Sequence, residues 1–291
     1  MNKKIFLLNI FAVLFILSVH SQLFWKISGN RLTKPSYLFG THHLIDEDQI
    51  MDFDKILHYA GEADVVVGEM DMSDMLGMQI KMMKSAMMKD TTMKELLNDS
   101  DYILVDKGLK EVMGMGLNKL GKMKPLMLSA MYSVMIYKKL TNLKKEPEVI
   151  DILFQKKAKK NNKSVIGLET IEQQIDILFN SLPLREQAKI LVVGIKDKEN
   201  GVEQIKKLNE AYIKGDLRMI ETLNNEDISL TPELKKIMVE ERNNNWMLKL
   251  KTLLPEKSCF IAVGCMHLAG EKGLINQLKN SGYTVKAVEN L

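Results

Sequence analysis

Two short segments near opposite ends of the chain carry the residue types best suited to chemistry. Each is an apolar run that stops at a glycine and continues with a histidine three positions later, Gly40 with His43 and Gly264 with His267. α/β proteins usually place their chemistry just beyond the carboxyl ends of strands. Imidazole is a common ligand for transition metals and the usual general base near neutral pH. With only 5 histidines in 291 residues, the matched pair predicts one shared site. Two capping or structural histidines are the alternative.

Two glutamates extend this candidate site. Glu69 follows the apolar run 65–68, and Glu169 follows a similar run at 164–168. A carboxylate at the end of a strand can bind a metal ion or take a proton from water. A solvated glutamate at a strand exit is the alternative for each.

Other polar residues are secondary candidates. Arg242 and Asn243 lie on a predicted helix before the second histidine motif. Arginine can clamp a carboxylate or an oxyanion, although a surface cation is the commoner role. His42 adjoins His43, but we predict that its side chain points elsewhere and supports the site at most.

Several familiar motifs are absent from the sequence. It has no Gly-x-Ser-x-Gly, no His-Glu-x-x-His, no phosphate-binding glycine-rich loop and no Cys-x-x-Cys. These absences weigh against serine hydrolases, thermolysin-type peptidases, nucleotide-dependent enzymes and zinc ribbons. Cys259 and Cys265 lie in one extended stretch, too far apart for a disulfide, so we predict two free thiols.

The first 21 residues have the pattern of a secretory signal peptide. Lys3 and Lys4 precede an apolar run from Ile5 to Val19, which is shorter than the roughly 20 residues of a membrane span. We therefore expect cleavage after Ser21, a secreted or periplasmic protein, and no stable membrane span. An uncleaved anchor is the alternative. Without the two lysines, the 41 basic residues nearly balance the 37 acidic ones, which does not indicate nucleic-acid binding.

The elements that must position these residues form an α/β pattern. Short apolar runs predict strands at 24–28, 36–39, 63–67, 164–168, 258–263 and 283–288, and helical patterns lie between them. Turn residues between the first two runs predict a hairpin. The predicted fold is a central mixed β-sheet built from N- and C-terminal segments, with a long, mostly helical insertion. Residues 22–291 are predicted to form a single domain.

Residues 70–145 are predicted to be helical and are rich in methionine. Met75, Met78 and Met82 share one helix face, and methionines recur every fourth residue from Met123 to Met135. We interpret the second set as a buried stripe and the whole segment as a groove or lid for an apolar substrate. A Cu(I) site is the alternative, because thioethers are soft ligands.

The chain resembles the TraB/PrgY/GumN family, which includes the TIKI proteases. The resemblance covers about Leu23 to Val288 and rests on blocks at Phe24–Ile27, Tyr37–His43, Ala63–Asp71, Gly167–Gln174, Arg242–Asn243 and Val263–Leu274. It implies that His43 and His267 are the paired histidines of the family and that Glu69 is their acidic partner. Glu169, Arg242 and Asn243 match further blocks of the family.

The resemblance also implies a function, a metal-dependent hydrolase of the peptidase type. A divalent ion (Mn²⁺, Co²⁺ or Zn²⁺) would be held by His43, His267 and Glu69, with Arg242 at the oxyanion and a peptide or small apolar molecule as substrate. Similar folds in erythromycin esterases and a haem-binding lipoprotein leave two alternatives open. One is a metal-independent hydrolase with His43 as general base, and the other is a binding protein for haem or a lipophilic ligand.

Overall fold

The structure is a computed structural model and describes residues 23–141, 148–227 and 231–288. The predicted signal peptide lies outside these residues. The strands are β1 Phe24–Gly29, β2 Ser36–Thr41, β3 Val65–Gly68, β4 Ser164–Gly167, β5 Cys259–Gly264 and β6 Tyr283–Ala287. Each coincides closely with a predicted strand, because each is a short apolar run between turn residues or helical segments.

These strands form one mixed sheet in the order β4-β3-β5-β2-β1-β6. β1 pairs antiparallel with both β2 and β6. β2, β5, β3 and β4 are joined by parallel pairings. The N-terminal hairpin is thus inserted between the two C-terminal strands, which confirms the predicted fold class.

Burial along the strands reflects their positions in the sheet. Every residue from Cys259 to Val263 of β5 is buried, as expected for a parallel strand covered on both faces. Edge strand β6 instead alternates, with Tyr283 and Val285 buried and the residues that follow each of them exposed. Cys259 and Cys265 are both buried and both free, as predicted.

The helices lie mainly between β3 and β5. They are α1 Phe53–Glu62, α2 Met75–Ser85, α3 Met93–Leu96, α4 Asp99–Met113, α5 Leu117–Leu120, α6 Pro125–Thr141, α7 Ile150–Lys160, α8 Ile171–Asn180, α9 Leu184–Lys196, α10 Lys198–Ile213, α11 Leu217–Glu226, α12 Pro232–Lys235, α13 Arg242–Leu253 and α14 Leu274–Asn280. Strand β4 divides the predicted helical insertion into two parts. Thr231 caps α12 by accepting a hydrogen bond from the Leu234 N–H.

The helical part has a hydrophobic core of its own, separate from the core around the sheet. The predicted buried methionine stripe is wrong. Met123 is buried, Met127 and Met131 are half-buried, and Met135 is 38% exposed. Met123 precedes α6, which begins at Pro125. Within α6, each four-residue step rotates the stripe by about 40°, because an α-helix turns once in 3.6 residues, and Met135 therefore faces solvent.

The methionine-rich helix α2 lies at the protein surface. None of its residues is buried, and Met75 and Met83 are 41% and 51% exposed. Among the described residues, no helix is both long and apolar enough to cross a membrane.

Candidate functional site

Four loops meet at one edge of the sheet, because they leave the carboxyl ends of four parallel strands. The register sets Thr41 of β2 beside Gly264 of β5, and Gly68 of β3 beside Gly167 of β4. The loops carry the predicted site residues His43, His267, Glu69 and Glu169. The parallel pairing therefore brings together loops that are far apart in the chain.

The two motif glycines allow these loops to approach closely. A Cβ added at Gly40 would lie 3.0 Å from Leu268 Cδ2 and 3.1 Å from the Cα of Cys265. A Cβ added at Gly264 would lie 3.2 Å from Glu69 Oε1. The backbone N–H of Gly264 donates to that same oxygen over 2.9 Å. Gly40 thus lets the second histidine loop pack against β2, and Gly264 lets Glu69 pack against the end of β5.

Arg242 is the centre of a buried polar cluster. Its Nε donates to both oxygens of Glu169 at 3.1 and 3.2 Å, and its Nη2 donates to Glu69 and to Glu169. Its Nη1 donates to the Met238 carbonyl over 3.3 Å and lies 3.2 Å from Nε2 of His267. A guanidinium has five N–H donors, and each has an acceptor here. The predicted contact with an oxyanion would require one of these bonds to break.

The hydrogen bonds around Asn243 assign the tautomer of His267. The Asn243 Nδ2 donates to the carbonyls of His267 and Lys272 at 3.1 and 2.9 Å, so its Oδ1 is an acceptor. That oxygen lies 2.8 Å from Nδ1 of His267, which must therefore carry the proton. The lone pair of Nε2 then accepts from Arg242. Both ring nitrogens are occupied, and the imidazole is locked in place.

Trp246 closes the cluster and was not among the predicted residues. Its ring centroid lies 4.3 Å from that of His267 and 4.8 Å from Cζ of Arg242. Its Nε1 donates to Glu169 over 3.3 Å. Trp246 lies four residues after Arg242 on α13, the spacing of neighbours on one helix face. That spacing was the available sequence signal.

Burial and charge set the protonation of the cluster. Burial above all, with the Arg242 cation acting in the same direction and Glu69 opposing both, lowers the pKa of His267 to about 4. Burial alone would raise the pKa of Glu69, but the His267 and Arg242 charges and the Gly264 N–H outweigh it and hold that pKa well below its usual range. At neutral pH the cluster therefore contains an ionised Glu69 and a neutral His267.

His43 does not join this cluster and instead lies beside Asp151. Its side chain is 67% exposed, and its Nδ1 is 3.9 Å from Asp151 Oδ2. The Thr41 hydroxyl donates to Asp151 Oδ1 over 3.0 Å, whereas the buried Oδ2 has no hydrogen-bond partner. Burial first, and then the negative charge of Glu69, raise the pKa of Asp151 to about 6, while His43 lowers it.

Asp151 is the main residue that sequence reasoning missed. It is a lone carboxylate in the apolar run Val149–Phe154, on the first turn of α7. A charge in an apolar run requires a compensating partner or a function if the run is buried. That contrast was the signal that could have found it.

His42 points into the protein, away from His43. Its Nε2 lies 2.7 Å from Asn209 Oδ1, and its ring centroid is 5.3 Å from that of Tyr212. Burial lowers the pKa of His42 to about 4. Its neutral ring therefore packs beneath the loop that carries His43.

The sequence model of the TraB/PrgY/gumN family matches residues 23–287. The chain belongs to the TraB/PrgY/gumN family. The match spans every strand of the sheet and all four site loops, and it confirms the family resemblance seen in the sequence. No curated protein matches the chain.

In this TraB/PrgY/gumN protein, two parts of the site differ in their fitness for a metal ion. The described residues contain no group of three or more His, Cys, Asp or Glu side chains placed to hold one. Nε2 of His267 lies against the Arg242 cation, so it does not face a metal ion. Asp151 Oδ2 and His43 Nδ1 are 3.9 Å apart, a gap that one ion with bonds of roughly 2.0–2.2 Å to each atom can bridge. His267 Nε2 and Glu69 Oε1 are similarly spaced at 4.0 Å, but an ion there would displace the hydrogen bond from Arg242. His43 and Asp151 are therefore the donors that could hold an ion without breaking the cluster.

Proposed function

We propose that this TraB/PrgY/gumN protein is a secreted or periplasmic hydrolase, metal-dependent and acting on peptides. One observation carries the proposal. A buried carboxylate oxygen of Asp151 without a hydrogen-bond partner lies beside the exposed imidazole of His43, at the sheet edge where Glu69 is held ionised. Unsatisfied buried polar groups are rare in native proteins unless they have a task.

Glu69 is the ionised carboxylate best placed to orient and polarise a water molecule. One of its oxygens is bonded to the Gly264 N–H and the other to Arg242, and its side chain is 20% exposed. Because Arg242 also binds Glu169 and His267, it fixes the orientation of Glu69. We therefore assign Arg242, Glu169, Asn243 and His267 to positioning Glu69 and to keeping its charge.

His43 and Asp151 would hold the divalent ion, with Glu69 alongside. Such an ion supplies a water molecule of lowered pKa and polarises a carbonyl group. The predicted ligand set of His43, His267 and Glu69 stays a prediction. The tautomer of His267 favours Asp151 in its place, because the free lone pair of His267 is taken by Arg242.

A metal-independent hydrolase is the second candidate, and the same pair supports it. His43 would act as general base, oriented by Asp151 as a carboxylate partner. The pKa of Asp151, raised to about 6, lies near the range that suits proton transfer at physiological pH.

Hydrolysis and metal content distinguish these candidates. The protein is purified without tags or chelators, its metal content is measured, and cleavage of a peptide library is followed for wild type, His43→Ala, Asp151→Asn and His267→Ala. We expect His43→Ala and Asp151→Asn to lose metal and at least 100-fold of the activity, and His267→Ala to lose activity but keep metal. His58→Ala, which removes an exposed histidine on α1, is the matched control.

Two outcomes would change the conclusion. Peptide cleavage by His43→Ala and Asp151→Asn at wild-type rates would rule out this site. Wild-type activity that survives exhaustive chelation would favour the metal-independent candidate.

Export is tested separately by expressing the full chain in a bacterium and sequencing the mature N-terminus. We expect the mature protein to begin at Gln22 in the extracytoplasmic fraction. A cytoplasmic protein that retains Met1 would refute this part of the proposal.

A further inference from the structure

A second feature beside the site is an apolar cleft of about 570 Å³ between helices of the insertion. Its volume lies within the range of small-molecule sites. Apolar side chains form most of its walls, including Leu126, Ile136, Phe179, Ile190 and Leu223. Polar side chains such as Asp197 and Asn200 also line it.

The cleft borders the candidate active site through two methionines. Met266 lines the cleft and directly precedes His267 in the chain. Met238 also lines it, and the Met238 carbonyl accepts a hydrogen bond from Arg242 over 3.3 Å. A ligand in the cleft would therefore end next to the Arg242 cluster.

Two glycines make room in the cleft. Gly194 on α9 and Gly201 on α10 both line the cleft. Each lies on the same helix face as another lining residue, Ile190 and Gln204 respectively. A Cβ added at Gly194 or Gly201 would meet nothing within 4 Å. Glycine weakens a helix interior relative to alanine. Since neither glycine is needed for packing, their effect is to leave this space open.

The walls of the cleft favour a hydrocarbon chain over a peptide backbone. Helices form most of them, and helix interiors satisfy their own N–H and C=O groups. A buried peptide would leave main-chain groups without partners, whereas an aliphatic chain needs none. Met82, Met127, Met238 and Met266 line the cleft, and flexible thioethers adapt to the shape of a ligand.

We propose that the cleft binds one long aliphatic chain, such as the acyl chain of a lipid or of an acylated peptide. The chain lies between α6, α9 and α10, with its polar end against Met238 and Met266. Binding of the chain does not depend on the proposed function. Only the further step, in which the acylated molecule is a substrate with its polar end at Glu69, rests on that function.

Binding of cis-parinaric acid, a fluorescent fatty acid, tests the proposal on the full mature protein. We expect saturable binding by wild type and at least 10-fold weaker binding by Gly194→Leu and Gly201→Leu, whose side chains enter the cleft. Their melting temperatures should equal or exceed that of wild type, because leucine is a better helix former than glycine. Ile80→Ser, which alters the exposed face of α2 outside the cleft, is the control for surface adsorption and should bind like wild type.

Several outcomes would overturn the proposal. They are wild-type affinity in both leucine variants, equal loss of binding in Ile80→Ser, or displacement of the probe by apolar peptides but not by palmitate. His43→Ala separates the two proposals, since it should abolish hydrolysis yet bind the fatty acid normally. Chain binding without hydrolysis in wild type would refute the proposed function and leave this inference standing.

Discussion

At the scale of single residues, most polar groups of the site have all their hydrogen-bond partners within the protein, and one does not. Arg242 and His267 use all their hydrogen-bonding atoms within the protein. Asp151 keeps one buried oxygen unpaired. A satisfied group can orient its neighbours, but it must give up a bond before it can act on a substrate. Asp151 has that capacity already, and it lies against the exposed His43.

The raised pKa of Asp151 predicts that its charge destabilises the fold. In metal-free protein its pKa of about 6 exceeds the unfolded value, so the folded state favours the protonated acid and loses stability as pH rises through 6. Asp151→Asn should therefore raise the free energy of unfolding at pH 7.5 by up to about 3 kcal/mol while activity falls. Urea denaturation of both proteins in chelator measures this. A variant less stable than wild type at pH 7.5 would contradict it.

At the scale of elements, glycines at the carboxyl ends of β2 and β5 allow close packing of the site loops. A π-helical turn, Lys236–Glu241, leads into α13. Such turns are rare and often lie at functional sites. This turn contains Met238, which lines the cleft. It ends directly before Arg242, which forms the centre of the polar cluster. One element thus serves both the cleft and the cluster.

Alanine at Gly40 tests the packing between these strand ends. Its Cβ would press on Leu268 and on the backbone of Cys265, so Gly40→Ala should lower the free energy of unfolding by about 1–3 kcal/mol. It should also reduce activity by shifting the loop that carries His267. Gly194→Ala is the matched control, where an added Cβ meets nothing and stability should rise by up to about 1 kcal/mol. Equal stability of the two variants, measured by urea denaturation, would disprove the argument.

At the scale of the whole molecule, buried ionisable groups couple folding to pH. His42 and His267 are held neutral with pKa values of about 4, below the unfolded value. Their stabilisation is complete above the unfolded pKa of roughly 6.5 and is lost as pH falls toward 4. Asp151 acts in the opposite sense over an overlapping range. Two histidines outweigh one aspartate, so acid should destabilise the fold.

We expect the metal-free protein to be about 3 kcal/mol less stable at pH 4.5 than at pH 7.5. Urea denaturation at the two pH values measures the difference. His42→Gln and His267→Gln should each reduce it, whereas Asp151→Asn should enlarge it. Stability that is independent of pH between these values would contradict the assigned protonation states.

The parts of this protein that depend on local sequence could be predicted. Strand positions and the hairpin follow from short apolar runs and from the turn residues between them, and the strand ends located Glu69, Glu169 and His267. The buried methionine stripe failed because four-residue spacing drifts around a helix. The sequence also predicted that His42 points away from His43. It did not predict that His43 lies beside Asp151 rather than His267, because the direction of a loop side chain depends on how the loop packs.

The sequence by itself thus determined the family, the sheet and most of the residues of the candidate site. Only the tertiary structure decided that Arg242 has no free donor, that His267 is locked as one tautomer, and that one oxygen of Asp151 accepts no hydrogen bond. The reason is physical. Hydrogen bonds such as that between Gly264 and Glu69 join residues 195 positions apart, so their geometry depends on how the whole chain packs.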